Sequence, residues 1–280
     1  MKCQLIVNAD DFARDPEVNR GILTAHHQGI VTTTTVLINM PGAVQAVREA
    51  ARLAPDLGIG LHLNLTLGTP CAPISEIREL IGEGNLFHKV DFWHENHQSL
   101  PLHRVEIEWR AQIDKFISTG IQVDHLDSHH HIAVIRPDIW ELFLELAKEL
   151  KCGVRPPYPD DVHSDALENV FPARMLENAR VRAFPALEQS SIPHPDSFLG
   201  SFFDERANLD HLHKLLEQLS EGIHELMCHP GYTSATLETT SSYARQRVVE
   251  LEALVHPSTK QMIEKHKIGL VTYQQVWPNF

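Results

Sequence analysis

The sequence predicts an α/β protein in which a single domain forms a (β/α) barrel. Short apolar segments, each long enough for one strand, alternate with longer amphipathic segments along the chain. About seven or eight such units follow one another within 280 residues, and no linker, low-complexity tract or internal repeat separates them. The alternation is typical of a mainly parallel sheet, and the number of units favours a barrel over an open sheet.

Six segments are predicted to form strands because they are short and apolar, rich in β-branched residues or alternating with period two. In chain order the predicted strands are Leu5–Ala9, Thr34–Ile38, Gly60–Leu65, Ile121–Asp127, Gly222–Cys228 and Ile268–Thr272. Apolar residues at helical spacing, with proline or glycine near several of the ends, predict helices between them. The predicted helices are Pro16–Gly29, Pro41–Leu53, Leu102–Ser118, Pro137–Leu150, Leu209–Leu219, Tyr243–Val255 and Ser258–His266.

Two stretches lack a clear period. Residues 69–101 are expected to form an insertion over the active face, and the proline-rich stretch 156–203 is expected to consist of loops. Both are expected to shape a substrate pocket over the mouth of the barrel. Trp93, Phe202 and Phe203 are candidate stacking surfaces for a sugar ring, although ordinary packing is the better explanation for any one of them.

Composition narrows the class of function. A net charge of −13 disfavours nucleic acid as a partner. No apolar run is long enough to span a bilayer, and the first residues are too short an apolar run for a signal peptide, so we expect a cytoplasmic protein that does not bind membranes. The cysteines are scattered and are expected to be reduced thiols. The size is compatible with a homo-oligomer, which the sequence does not specify.

Four polar clusters lie where predicted strands end. They are Asn8-Ala9-Asp10-Asp11, His62-Leu63-Asn64, Asp127-Ser128-His129-His130-His131 and His229-Pro230-Gly231-Tyr232. The carboxyl ends of the strands of a parallel barrel open at one mouth, and active sites are found there. We therefore expect these four clusters, which are far apart in sequence, to meet in space.

The two adjacent carboxylates have two explanations. Neighbouring side chains of an extended chain point to opposite sides, so one of Asp10 and Asp11 could bind a metal ion while the other accepts a proton. Alternatively, the pair caps the following helix, as aspartates after strands often do.

The histidines also have alternative explanations. His62, taken alone, is better explained as a hydrogen-bonded, half-buried histidine than as a metal ligand. The three consecutive histidines would repel one another if buried and protonated, which favours a nearby cation or a carboxylate; Asp127 could orient one of their rings. A solvated polar loop is the other interpretation. His229 precedes a Pro-Gly turn, which is a weak motif by itself.

Mixed aspartate and histidine ligands are typical of zinc or another borderline divalent ion, because magnesium prefers more oxygen ligands. Three protein ligands leave coordination positions open for water and substrate. A bound ion could lower the pKa of its water to ~7 and polarise a carbonyl oxygen. A nearby carboxylate could then take a proton from water, and a histidine could protonate a departing amine. Together these groups suit amide hydrolysis.

In this order the clusters resemble the YdjC-like family of carbohydrate deacetylases, which includes chitooligosaccharide deacetylases. The matching stretches are residues 6–12 (IVNADDF), 29–35 (GIVTTTT), 59–66 (IGLHLNLT), 125–131 (HLDSHHH) and 227–232 (MCHPGY). They span nearly the whole chain and are jointly specific. The resemblance implies a deformed (β/α) barrel and a metal-dependent hydrolase that acts on N-acetylated sugars or short oligosaccharides.

Carried over by matching position, the resemblance assigns a role to individual residues. It implies a divalent ion bound by Asp11, His62 and His129, with Asp10 as general base and His229 as general acid. The family is described as using Mg²⁺, whereas the ligand chemistry favours Zn²⁺. Weaker candidates, for orienting Asp10 or contacting substrate, are Arg155, His131 and Tyr232.

The chain departs from the family pattern at two positions. Ala13 stands where glycine is common, and Ala133 stands where a further histidine is often found. The alternative function is a metal-dependent phosphoesterase or amidohydrolase on a similar barrel, in which His129 and His131 imitate the His-x-His pair of such enzymes. A non-enzymatic sugar- or metal-binding protein is the third hypothesis, and it is disfavoured because every expected catalytic position is filled.

Overall fold

Eight parallel strands form one sheet in the structure, a computed structural model that describes residues 2–158 and 173–280. The strands are β1 (Cys3–Phe12), β2 (Thr33–Val36), β3 (Gly58–Leu63), β4 (His125–Ser128), β5 (Gly153–Val154), β6 (Ser197–Leu199), β7 (Gly222–Cys228) and β8 (Gly269–Leu270). The helices are α1 (Pro16–Gln28), α2 (Ala43–Leu53), α3 (Val90–Asn96), α4 (Leu102–Ile117), α5 (Pro137–Leu150), α6 (Ala173–Asn178), α7 (Phe184–Ser190), α8 (Leu209–Gln218), α9 (Ala235–Thr240), α10 (Gln246–Val255), α11 (Pro257–Lys265) and α12 (Tyr273–Val276).

The sheet curves into an incomplete barrel. Its strand order is β5-β4-β3-β2-β1-β7-β6, and β8 pairs with the first residues of β1. Across the seam between the two end strands, the N–H of Val154 donates to the carbonyl of Pro193 at 2.9 Å. The predicted fold, a deformed (β/α) barrel surrounded by helices, is therefore confirmed.

The interior of the barrel near the strand ends is polar. In β1, Leu5 and Val7 belong to the hydrophobic core, while the alternate position Asn8 hydrogen-bonds to residues of β2. Asn8 accepts a hydrogen bond from Thr33 at 2.7 Å and donates one to Thr35 at 3.2 Å. Both faces of the strands are thus buried, one against helices and one within a hydrogen-bonded polar lumen.

Sequence patterning located most of these elements. The bounds of β7 are as predicted, and α1, α4, α5, α8 and α11 differ from their predicted bounds by at most a residue or so at either end. β1 is longer than predicted at both ends. β4 starts at His125 rather than Ile121, because His125 is the first of its residues to pair, with Gly153 of β5.

The stretch 69–101 contains one helix that was not predicted. It is α3, whose seven residues are too few to show a helical period in the sequence. Trp93 of α3 is fully buried, and its indole N–H donates to the carbonyl of Leu65 at 3.0 Å. Trp93 therefore packs the segment 69–101 against the chain that follows β3, and it offers no exposed surface to a sugar.

The prediction of loops over 156–203 is wrong for residues 173–190. Part of it, 159–172, lies outside the described residues. Residues 173–190 are helical, with α6 and α7 joined through a π-helical turn at Ala179–Ala183. Pro185 suggested a loop in the sequence. It stands in the first turn of α7, where proline is tolerated.

Within the described residues, none of the helices has the length and apolar character needed to cross a membrane. All four cysteines belong to the described part of the chain and are unpaired.

Ala13 occupies a backbone conformation that favours glycine. Its φ is 73°, in the left-handed region, and its N–H donates to Asn19 at 2.6 Å. Left-handed backbone costs a non-glycine residue about 1–2 kcal/mol. The methyl group is buried, with 7% of the residue exposed, so part of this cost is offset by packing.

We expect Ala13→Gly to change the free energy of unfolding by less than about 1 kcal/mol, because relief of strain is offset by the lost methyl and by a more flexible unfolded chain. Ala13→Val is expected to lower it by about 2–4 kcal/mol, since a β-branched residue is strained there and overfills the site. Urea unfolding of both variants measures the difference. Equal stability of the valine and glycine variants would contradict the left-handed assignment.

Candidate active site

The carboxyl ends of five strands bring the expected polar residues to one mouth. Asp10 and Asp11 lie near the end of β1, and His62 lies near the end of β3. Directly after the ends of β4, β5 and β7 follow His129, Arg155 and His229. The four clusters predicted from sequence therefore meet in space, and Arg155 joins them.

Asp10 and Asp11 do not point to opposite sides, as regular strand geometry predicted. The φ of Asp11 is 72°, and the pairing of β1 with β2 is irregular between Ala9 and Phe12. An irregularity of this kind redirects a side chain, and aspartate tolerates the left-handed region better than most residues. Both carboxylates consequently face the His62 ring. The capping alternative is wrong, because Asp15 is the residue that caps α1.

Two imidazole nitrogens lie at similar distances from one carboxylate oxygen at the mouth. Oδ1 of Asp11 is 3.7 Å from Nε2 of His62 and 3.6 Å from Nε2 of His129. This oxygen is buried and has no hydrogen-bond partner among the described residues. Ligands bound to one ion at about 2.1 Å lie roughly 3.0–3.6 Å apart, so the spacing suits a single divalent ion.

The other side of each imidazole is held by a hydrogen bond. Nδ1 of His62 contacts Oδ1 of Asp127 at 2.5 Å, and Nδ1 of His129 contacts the hydroxyl of Thr66 at 2.8 Å. Both Nε2 atoms are thereby directed towards Asp11. Asp127 was expected to orient one of the consecutive histidines; its ring hydrogen bond is instead with His62, its partner across the β3–β4 pairing.

A left-handed turn at the second and third of the consecutive histidines leaves the rings of His129 and His130 side by side, with centroids 3.8 Å apart. The φ values of His130 and His131 are 53° and 51°. His129 is buried, and burial, together with the neighbouring His130, holds its pKa well below the usual value. A solvated loop is therefore excluded for His129, and its neutral ring is in the form that binds metal ions.

Asp10 is held by an arginine through two hydrogen bonds. Arg155 donates from Nη1 and Nη2 to the two carboxylate oxygens at 2.8 and 2.6 Å. Burial by itself would raise the pKa of Asp10, but the Arg155 guanidinium outweighs it and holds that pKa well below the usual range. Asp10 is consequently ionised at neutral pH, in a position fixed by a bidentate contact.

The buried charges around Arg155 are not balanced. Besides Asp10, the guanidinium contacts Asp127 at 3.0 Å and Glu225 at 2.8 Å, so one cation faces three carboxylates. Burial would lower the pKa of His62, yet Asp127 and the other nearby carboxylates raise it above the usual value. This excess of buried negative charge favours binding of a further cation at the mouth.

A second group of candidate ligands overlaps the first. Ligand atoms of Asp10, His62 and Asp127 all lie within 4.8 Å of one another. The carboxylate oxygens of Asp10 and Asp127, however, already accept hydrogen bonds from Arg155, Thr35 and His62. Asp11 differs from both, since its buried Oδ1 accepts no hydrogen bond from the described residues.

His229 lies beside Asp10, directly after the end of β7. Its Nε2 is 3.8 Å from Oδ2 of Asp10, and its side chain is 13% exposed. The rings of Phe203 and Tyr243 flank it edge-on, with centroids at 5.4 and 5.7 Å. Burial, which outweighs the attraction of Asp10, lowers the pKa of His229 to about 4.

Sequence interpretation missed the contribution of α10. Arg247 forms an ion pair with Oδ2 of Asp11, and Glu250 accepts a hydrogen bond from the backbone N–H of His229. Both are buried on the face of α10 that also carries Leu251 and Leu254. The sequence signal for this contribution was the presence of two charged residues, Arg247 and Glu250, among the apolar positions of a predicted helix.

The remaining candidates for substrate contact are placed differently. Arg155 is 3% exposed and binds carboxylates, while His131 lies beside the ring of Phe198, with centroids 6.0 Å apart. Tyr232 packs on α1, where the Arg20 guanidinium lies 3.6 Å from its ring centroid. Phe202 is fully buried and contributes to packing.

Ala133, at the second departure from the family pattern, is also buried, in the turn that follows β4. Phe203 is the one aromatic candidate that remains beside the site: it stacks on Tyr243 and flanks His229.

Comparisons with known proteins give a consistent result. The family described as YdjC-like protein matches residues 4–265. A carbohydrate deacetylase of Brevibacillus brevis is 34% identical over 275 residues, which cover 98% of this chain and 99% of the relative. A carbohydrate deacetylase of Vibrio parahaemolyticus is 34% identical over 273 residues, covering 96% and 95%.

Among solved structures, this chain is similar to an Enterococcus faecalis V583 protein described provisionally as a cellobiose-phosphate cleavage protein. The two share 31% sequence identity with a TM-score of 0.84, and the match covers 99% of each chain.

Proposed function

The chain belongs to the YdjC-like protein family, and from this premise we propose that it is a metal-dependent hydrolase that removes acetyl groups from N-acetylated sugars or short oligosaccharides. The observation that carries the proposal is the unpartnered, buried Oδ1 of Asp11 between the Nε2 atoms of His62 and His129. Beside this cluster stand an ionised carboxylate, Asp10, and a histidine, His229, which face one another.

Asp11, His62 and His129 would hold the ion. One oxygen and two imidazole nitrogens are typical ligands of zinc or another borderline divalent ion, whereas the sequence resemblance implied magnesium. When bound there, a divalent ion lowers the pKa of water and polarises the carbonyl of the acetamide. Its charge would also offset the surplus of carboxylates around Arg155.

The protein's own residues would handle the protons. Asp10 accepts a proton from the water whose oxygen joins the acetamide carbon, and Arg155 keeps the carboxylate ionised and in place. Because its pKa is low in the free protein, the His229 ring must first gain a second proton. Once protonated at both nitrogens, it donates from Nε2 to the sugar nitrogen as the carbon–nitrogen bond breaks. Acetate and a free amino sugar leave, and the two proton-transfer groups return to their starting states by exchange with solvent.

The hydrogen bond between Asp127 and His62 predicts a measurable effect on metal affinity. We expect Asp127→Asn to weaken metal binding by about 10–100-fold, because carboxylates behind metal-binding histidines orient the ring and raise its basicity. Competition with a chelating dye measures the affinity. A matched control is Asp124→Asn, since Asp124 immediately precedes β4 and pairs with His125 at 3.0 Å, at the strand end away from the mouth. Equal losses in both variants would indicate general destabilisation instead.

The test of the proposed function is acetate release. The protein, freed of metal and reconstituted separately with Zn²⁺ and Mg²⁺, is incubated with N-acetylglucosamine and N,N′-diacetylchitobiose. Metal-dependent acetate release supports the proposal, and the more effective ion identifies the cofactor. If a phosphorylated disaccharide instead releases phosphate and no sugar releases acetate, the phosphoesterase alternative replaces it.

A further inference from the structure

Glu250 of α10 is a buried carboxylate that the proposed reaction does not use. It has no exposed surface, and it lies directly beneath His229. Its carboxylate accepts hydrogen bonds from the backbone N–H of His229 and from the hydroxyl of Tyr243. Burying a carboxylate costs free energy unless hydrogen bonds replace its hydration. One of the two hydrogen bonds here comes from His229, the proposed general acid, and the other from Tyr243, whose ring lies beside it.

The His229 ring has one nitrogen on each side of this arrangement. Nε2 faces Asp10, whereas Nδ1 is buried and lacks a hydrogen-bond partner among the described residues. Oε1 of Glu250 faces Nδ1 at 3.9 Å. Catalytic hydrogen bonds are often long in the absence of substrate, and these two atoms need to approach by only about 1 Å to form one.

Tyr243 fixes the carboxylate from the far side. Its hydroxyl donates to Oε1 of Glu250, and its ring stacks on Phe203 with centroids 4.4 Å apart and planes inclined by 2°. The same two rings flank His229. Tyr243 therefore holds the Glu250 carboxylate in place. One carboxylate oxygen accepts the backbone N–H of His229, and the other faces Nδ1 of its ring.

We infer that Glu250 is a positioning residue for His229, holding the ring so that Nε2 carries the proton to the departing amine. The inference rests on the proposed function, in which His229 is the general acid. After the proton leaves Nε2, the remaining proton is on Nδ1, where Glu250 is the acceptor that fixes this tautomer. Tyr243 supports the carboxylate and does not take part in proton transfer.

A purely structural role makes different predictions. If Glu250 only tied α10 to the loop after β7, its loss would affect every substrate alike and would add to the effect of removing His229. If it positions the acid, its loss matters only where the leaving group needs a proton, and only while His229 is present.

The first test therefore compares an amide with an activated ester. Glu250→Gln is expected to lower kcat for N,N′-diacetylchitobiose by about 10–100-fold with little change in KM. For 4-nitrophenyl acetate the change should be within about threefold, because the phenolate leaves without protonation. The control is Glu252→Gln, an exposed glutamate of the same helix, which should match the wild type on both substrates. Equal losses on amide and ester overturn the inference.

The second test is a double variant. In a His229→Ala background, adding Glu250→Gln should cost nothing further in acetate release, since residues that act as a unit are not additive. A further loss as large as that of the single Glu250→Gln variant assigns Glu250 a structural role.

A third readout is independent of activity and separates the two proposals. The ¹⁵N resonance of His229 Nδ1, assigned with His229→Ala, should shift in Glu250→Gln and stay unchanged in Glu252→Gln. An unchanged resonance in Glu250→Gln contradicts the inference about Glu250. Absence of acetate release by the wild-type protein from any N-acetyl sugar contradicts the proposed function.

Discussion

Exchanging Asp10 for asparagine is expected to lower kcat for sugar deacetylation by about 10²–10⁴-fold while the protein still binds its metal ion. The carboxylate is ionised because Arg155 holds its pKa low, and its Oδ2 faces Nε2 of His229 at 3.8 Å. Asparagine has the same shape but cannot accept a proton. The fold should survive, since Arg155 retains its contacts with Asp127 and Glu225.

Metal content decides how a loss of activity in Asp10→Asn is interpreted. Elemental analysis and steady-state acetate release are measured on the same preparation, with Asp56→Asn, an exposed aspartate after α2, as the matched control. A variant that is inactive but retains the ion supports a proton-transfer role. A variant that loses the ion supports the alternative ligand set of Asp10, His62 and Asp127 instead.

The sequence predicted where the site would be more securely than how it is built. Parallel strands must open at a common mouth, so polar residues at strand ends were bound to converge once the alternation of strands and helices was recognised. That argument brought Asp10, His62, His129 and His229 together before any distance was known. It depends only on strand order and direction, which hydrophobic patterning specifies well.

Side-chain direction was not predictable in the same way. Strand periodicity sends Asp10 and Asp11 to opposite sides, and only the left-handed conformation of Asp11 brings both to His62. The same holds for the turn at His130 and His131. Such conformations are stabilised by tertiary contacts, here including the ion pair of Asp11 with Arg247, and these contacts are invisible in a local pattern.

The contributions of α10 were missed for a related reason. Arg247 and Glu250 lie on a helix far along the chain from Asp11, and a sequence pattern does not reveal which strand end a helix covers. In the structure α10 packs alongside α1, the helix that follows β1, and so its buried charges reach the mouth. Charged residues on the apolar face of a helix are thus a signal of a nearby polar site, though not of its identity.

Replacing His129 by alanine is expected to abolish metal retention and to lower kcat/KM for acetate release by about 10³-fold or more. The ion would stabilise the transition state by several kcal/mol. Without His129, only Asp11 and His62 remain as ligands, and two ligands bind the ion weakly. The prediction follows from the 3.6 Å separation of His129 Nε2 from the unpartnered Oδ1 of Asp11. Metal content after dialysis and activity at saturating Zn²⁺ or Mg²⁺ measure the two effects separately.

The adjacent histidine provides the stringent comparison for His129→Ala. The ring of His130 lies against that of His129, with centroids 3.8 Å apart, and contacts the same Thr66 hydroxyl at 3.0 Å. His130→Ala therefore perturbs the same turn without removing a proposed ligand. We expect His130→Ala to keep the ion and to lose less than about tenfold in activity, because the Thr66 hydroxyl remains to hold Nδ1 of His129. If both variants lose the ion alike, the turn as a whole, and not Nε2 of His129, is what the site requires.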